Sequence, residues 1–166
     1  VVIKGEGFTA TNCQDVEVLL GEDMTCEVQK QGDTWECTDT ELKCVTKRIS
    51  KVHKVQNTGT NAIFGRGYAW DKKDVVIAPG DTVEWQWVLQ VSSADSGINI
   101  FQRENVASTV YDGVGFNSGE KKLEGKFQHT FSGLGMSYYT SDSVIGELNT
   151  IFMSGTVTVA LPGETE

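Results

Sequence analysis

The sequence predicts an all-β chain built as two tandem β-sandwiches. Helical periodicity is nearly absent from the 166 residues, and short runs of alternating apolar and polar residues replace it. Gly, Asn, Asp and Ser split these runs, with 18 Gly against 2 Pro, as expected of many tight turns and few stiff linkers. All four cysteines, Cys13, Cys26, Cys37 and Cys44, fall in the first 44 residues, where a small core would be marginal without covalent support.

The elements follow in order. Val1-Val2-Ile3-Lys4 reads as a strand and Gly5-Glu6-Gly7 as a bend. Val16 to Leu20 alternates into a turn at Gly21-Glu22-Asp23; Cys26 to Gln29 and Glu41 to Thr46 alternate again, which reads as a meander of antiparallel strands. In the second part Val52 to Gln56 is a strand closed by Asn57-Thr58-Gly59. Val75-Val76-Ile77 precedes a turn at Ala78-Pro79-Gly80-Asp81. The clearest strand comes next, with Val83, Trp85, Trp87 and Leu89 on one face and Thr82, Glu84 and Gln86 on the other. Phe127, His129 and Phe131 alternate with Gln128 and Thr130. Tyr138-Tyr139-Thr140 follows a Gly-rich corner. Thr156 to Leu161 closes the chain with Val157, Val159 and Leu161 on one side. The count is at least nine strands with no internal repeat, and the boundary falls near Arg48, giving domains at 1–47 and 48–166.

Apolar content of 39% and charged content of 22% are ordinary for a folded protein. A net charge of −9 argues against nucleic acid and against anionic membrane surfaces. No apolar run is long enough to cross a bilayer, so no membrane insertion is expected of this segment. Val1 reads as a point inside a domain, so the chain is expected to be a piece of a longer one.

The chemistry-bearing residues are sparse. No two cysteines form a C-x-x-C pair, and two His give no zinc-finger spacing. Two disulfides formed in an oxidising compartment are the simplest account, with four reduced buried cysteines as the alternative and three pairings open. At roughly 2–4 kcal/mol each, two disulfides would support a first domain of this size. There is no Gly-x-Ser-x-Gly elbow and no His-Glu-x-x-His, and Gly65-Arg66-Gly67 lacks the third spaced Gly of a nucleotide loop. Asp71 and Asp74, interleaved with Lys72 and Lys73, read as a solvated loop. No enzyme activity and no cofactor are expected. His53 and His129 sit on strands and read as packing or surface residues. Trp85 and Trp87 read as core, whereas exposure of Trp35, Trp70, Tyr138 or Tyr139 would mark an interface. No Asn-x-Ser/Thr sequon occurs.

Gly5-Glu6-Gly7-Phe8, Val16-Glu17-Val18 with Gly21, Cys26-Glu27-Val28 and Thr38 to Thr46 make the first segment resemble the IPT/TIG domain, an immunoglobulin-like sandwich of cell-surface receptors. That resemblance implies a Cys26–Cys44 bridge, leaving Cys13–Cys37. It also implies that the first strand of the domain is missing, so that a preceding segment or another molecule completes it by strand addition. His53 to Gly59, Gly65 to Trp70, Gly80 to Trp87, Ser108 to Phe116 and Ile151 to Val157 make the rest resemble a cupredoxin-like Greek-key sandwich of fibrocystin and fibrocystin-like proteins. A blue-copper centre needs two imidazoles, a thiolate and usually an axial Met. Set on that pattern, Ile98 and Ser143 stand where the two His belong and Thr140 where the Cys belongs; only Met153 is kept. The resemblance therefore implies a sandwich without a type-1 copper site.

The expected function is a non-enzymatic extracellular scaffold in adhesion, a surface coat or a filament assembled by strand complementation. Its partners would be copies of itself or neighbouring domains of a longer chain. The alternative is a receptor module that reads a glycan or a protein through the loops flanking the vacated pocket, with Ser92, Asp95, Asp142 and Glu147 as candidate contacts.

Overall fold

The computed structural model describes residues 2–4, 18–19, 24–28, 30–31, 34–35, 37–38, 40–61, 65–89, 97–108, 110–141 and 153–161. Among them are fifteen β-strands and no helix. The chain divides into two compact units, Val1–Ser50 and Lys51–Glu166.

In the first unit, β1 (Val2–Lys4), β2 (Val18–Leu19), β3 (Met24–Val28) and β6 (Glu41–Arg48) form one antiparallel sheet in the order β1-β6-β3-β2. β4 (Lys30–Gln31) and β5 (Thr34–Trp35) make a separate two-stranded ribbon. The sheet is not the meander expected from sequence, because its centre is the last strand. β6 is its longest strand, and it turns Leu42 and Cys44 inward with 0% and 3% exposure. The register sets Val28 opposite Cys44 and Cys26 opposite Thr46, so the two cysteines are diagonal neighbours. They form a disulfide with Cα atoms 5.3 Å apart. Cys37 is also disulfide-bonded, and Cys13 lies outside the described residues. Cys26, Leu42 and Cys44 are the buried apolar cluster here, packed against Ile3, Val18, Val28 and Cys37. So little apolar volume makes the sulfur bridge part of the core itself.

The second unit contains β7 (Val52–Gln56), β8 (Gly59–Asn61), β9 (Gly65–Ala69), β10 (Asp74–Ile77), β11 (Asp81–Val88), β12 (Phe101–Arg103), β13 (Glu124–Phe131), β14 (Gly135–Thr140) and β15 (Gly155–Val159). One sheet runs β13-β11-β7, the other β10-β15-β14-β12, and β8 pairs with β9. β7 is parallel to β11 and β10 is parallel to β15. A hairpin cannot join parallel strands; here the chain leaves β7, adds β10 to the opposite sheet and returns as β11.

The two sheets bury one core between them, with Val55, Val83, Trp85 and Trp87 from the first and Val75, Ile77, Tyr139, Val157 and Val159 from the second. Trp85, fully buried, is its centre: it stacks on Phe116 and Phe127 at 5.5 and 5.9 Å and meets Tyr139 edge-on at 5.2 Å. Trp70 and Tyr139 are core residues too, and Tyr138 is half-buried. The closing strand is shorter than its pattern: β15 ends at Val159, and Leu161 is exposed beyond the last rung, where the Ala160 N–H donates to the Ile77 carbonyl.

Asp81 starts β11 on its inward face and is 1% exposed. Its carboxylate accepts the N–H of Lys51 at 2.8 Å and that of Ala78 at 3.2 Å, and meets His53 Nε2 at 2.9 Å. One side chain thus fixes the turn before β11 and the entry to β7.

Three outcomes are expected. Replacing both Cys26 and Cys44 with Ala should cost the first unit about 3 kcal/mol, read as earlier proteolysis within residues 1–50 while the second unit stays intact. Asp81→Ala should cost about 2 kcal/mol by removing the acceptor of two part-buried N–H groups, read as a lower denaturation midpoint. Gly155→Ala should cost about 3 kcal/mol, because the added Cβ would overlap the Lys73 carbonyl and the Tyr139 hydroxyl.

Candidate functional site

Of the four positions that the cupredoxin resemblance sets at a copper centre, the three among the described residues are buried. Ile98 and Met153 are 1% exposed within the apolar core, and Thr140 is 0% exposed at the end of β14. Thr140 pairs in register with Phe101, and its hydroxyl donates to the Ser141 carbonyl at 3.5 Å. Beside them, the Asn99 N–H donates to Ser141 Oγ at 3.3 Å, and that hydroxyl donates to Asn99 Oδ1 at 3.2 Å. These bonds bring the segments carrying Ile98 and Thr140 together. What they bring together is a methyl-rich side chain and a hydroxyl, not an imidazole and a thiolate, so this donor set does not fit a blue-copper centre. Met153 has a core-filling environment. Ser143, and the loop residues Ser92, Asp95, Asp142 and Glu147, lie outside the described residues.

The two histidines share one face without meeting. The register aligns His53 and His129 on either side of Val83, with β11 between them. Two strand spacings, about 10 Å, separate their backbones. His53 is committed to Asp81. His129 lies between Phe116 and Phe131, each ring centroid 4.7 Å away, and burial lowers its pKa from the ordinary value. Among the described residues no three His, Cys, Asp or Glu side chains converge as metal ligands. Asp71 accepts the N–H groups of Gln56 and Lys72, and Asp74 accepts the Thr156 hydroxyl, so these two carboxylates are tied into turns and strand ends.

A cleft among the described residues lies elsewhere. At the ends of β7, β9, β11 and β13 is a cleft of about 960 Å3, with Gln56, Tyr68, Gln86, Trp87, Glu124 and Lys126 on its walls. Asn57 holds its shape from beneath. Its Nδ2 donates to the carbonyls of Gly67 and Val88, and its Oδ1 accepts the Val88 N–H. Trp87 donates from Nε1 to the Lys122 carbonyl at 2.9 Å, and its ring lies against Gly125, where a Cβ would overlap it.

A hydrogen-bond chain orders the carboxamides. Gln56 Nε2 donates to Gln86 Oε1 at 3.1 Å, and Gln86 Nε2 donates to Glu84 Oε1 at 2.5 Å. Glu84 points away from the core yet is only 2% exposed, because its neighbours cover it. Lys126 pairs with its Oε2 at 2.5 Å and Gln128 donates to the same oxygen. The hydrogen bond from Lys126 holds Glu84 below the ordinary carboxylate range, against the cost of desolvation. Sequence showed Glu84 and Gln86 on one outward face. It carried no signal for the cleft, which depends on which strands end side by side.

Glu84 and His129 give the stability a pH dependence of known sign. The lowered His129 pKa means the unfolded chain takes up the proton first as pH falls below 6.5. The lowered Glu84 pKa adds a contribution present above 4.5 and lost as pH falls through the folded value. The calorimetric midpoint is therefore expected to fall in two stages on acidification. His129→Phe should flatten the first stage and Glu84→Gln the second. Copper(II) titration should produce no intense visible band, since no thiolate follows Cys44.

No family model matches the chain. Among solved structures, a purple cupredoxin from Nitrosopumilus maritimus is 22% identical with a TM-score of 0.44, covering 65% of this chain and 99% of that one. Among curated proteins, fibrocystin-L of Homo sapiens is 32% identical over 166 residues, and fibrocystin-L of Mus musculus is 29% identical over 160. The matches cover 99% and 96% of this chain but only 4% of either relative's length. The chain is thus similar, over nearly its whole length, to a short stretch of fibrocystin-L.

Proposed function

We propose that this chain is a non-enzymatic, extracellular scaffold module of a longer surface protein, with an IPT/TIG-like first unit and a copper-free sandwich as its second. The observation that carries this reading is that Ile98, Thr140 and Met153, which the cupredoxin resemblance sets at a copper centre, are buried with at most 1% exposure. Such packing with no thiolate in this unit favours a structural role over redox chemistry. The Cys26–Cys44 disulfide supports an oxidising, extracellular setting. Similarity to fibrocystin-L supports a receptor-like ectodomain, and a coat or filament is the more specific form of the proposal.

Association through copies of the same chain or through flanking domains is the partner class that suits such a module. Strand addition at the first unit is the mode the IPT/TIG resemblance suggests. Sedimentation velocity across a concentration series, with electron microscopy of the same material from its source, tests it. Ordered polymers are the expected result. A monomer at every concentration would remove the coat or filament reading.

A further inference from the structure

The cleft at the ends of β7, β9, β11 and β13 has a ligand chemistry of its own, independent of the scaffold reading. At about 960 Å3 it is near the top of the roughly 300–1,000 Å3 range of small-ligand sites. We propose that it binds a neutral oligosaccharide.

The argument rests on four features. First, beside Glu124 and Lys126 the polar side chains that line it are uncharged: the carboxamides of Gln56, Asn57 and Gln86, the Tyr68 phenol and the Thr58 hydroxyl. Each both donates and accepts hydrogen bonds, as does a sugar hydroxyl, whereas an anion only accepts. Second, the charge is wrong for an anionic ligand. Lys126, the cation among the described lining residues, is committed to Glu84. Glu124 adds a negative charge to the rim, and the whole chain carries −9. Phosphorylated or sulfated ligands would be repelled at that rim.

Third, the wall is ordered before any ligand arrives. Gln56 and Gln86 are aligned by the chain of donors that ends on the Glu84 carboxylate. Asn57 clamps β9 to the end of β11, and Trp87 is fixed by its bond to Lys122. Ordering these side chains in advance lowers the entropic cost of binding. Fourth, apolar surface is interleaved with the polar groups. Tyr68 is half-buried, and Val88, also on the lining, is 55% exposed. A sugar ring presents C–H patches between its hydroxyls, so mixed lining of this kind matches it better than it matches an apolar ligand.

The test is heteronuclear NMR of the 166-residue chain titrated separately with cellotetraose, maltotetraose, chitotetraose and mannotetraose. A heparin tetrasaccharide is the anionic comparator. At least one neutral probe should shift the Trp87 indole N–H and the Gln56 and Gln86 side-chain amides, with heparin leaving them unmoved. Gln86→Leu should weaken that probe about tenfold or more. Gln56→Ala, which leaves the Gln86–Glu84 bond in place, should weaken it too while the unliganded spectrum stays that of the folded chain. Val110→Ser, on an exposed loop away from the cleft, should change nothing. The proposal is overturned if no neutral probe binds at millimolar concentration, if the shifts map away from the cleft, or if heparin displaces the neutral probe from it. None of these results bears on whether the chain polymerises.

Discussion

The second unit depends on a buried carboxylate. Asp81 sits at 1% exposure and binds the backbone of two segments distant in sequence, Lys51 and Ala78, as well as the His53 ring. Burying a charge is costly unless every oxygen is satisfied, and here the partners come from the turn before β11 and the strand parallel to it. That geometry fixes where β7 begins relative to β11, since the Thr82 N–H also donates to the Lys51 carbonyl. A shift of one residue would turn the inward face outward on every strand that follows. The Trp85 cluster is therefore a consequence of the register that Asp81 helps to set. Val83, Trp85 and Trp87 point inward because Asp81 does.

The same core takes in Ile98 and Met153, and Thr140 is buried at the end of β14. Tyr139 shows the cost of burying a polar side chain beside it. Burial raises its pKa, and its hydroxyl must find a partner, which it does in the Lys73 carbonyl at 2.9 Å. Gly155 has no side chain because that bond occupies the space beside it.

The first unit solves a different problem. Its described apolar cluster is small, and a disulfide joins its two longest strands, β3 and β6. The cysteine count made such a bridge legible in sequence; the central place of β6 was not. A meander is the simplest reading of consecutive alternating runs, yet β1 pairs with β6 across the whole length of the unit. The pairing partners of a strand are a non-local property, and alternation alone does not encode them.

Alternation alone determined the β class, the inward face of β11 and the burial of Trp85 and Trp87, because a period of two is a local consequence of strand geometry. That no cysteine follows Cys44 was equally legible, because a side chain that lacks a sulfur donor cannot acquire one by folding. Tertiary structure alone decided the rest. It hid Glu84 on an outward face by laying Lys126 and Gln128 over it. It put His53 and His129 in one row yet out of reach of each other. It also gathered Gln56, Tyr68, Gln86 and Trp87 around one cleft. Each of these depends on which strands lie side by side, and that is settled by the packing of residues far apart in the chain.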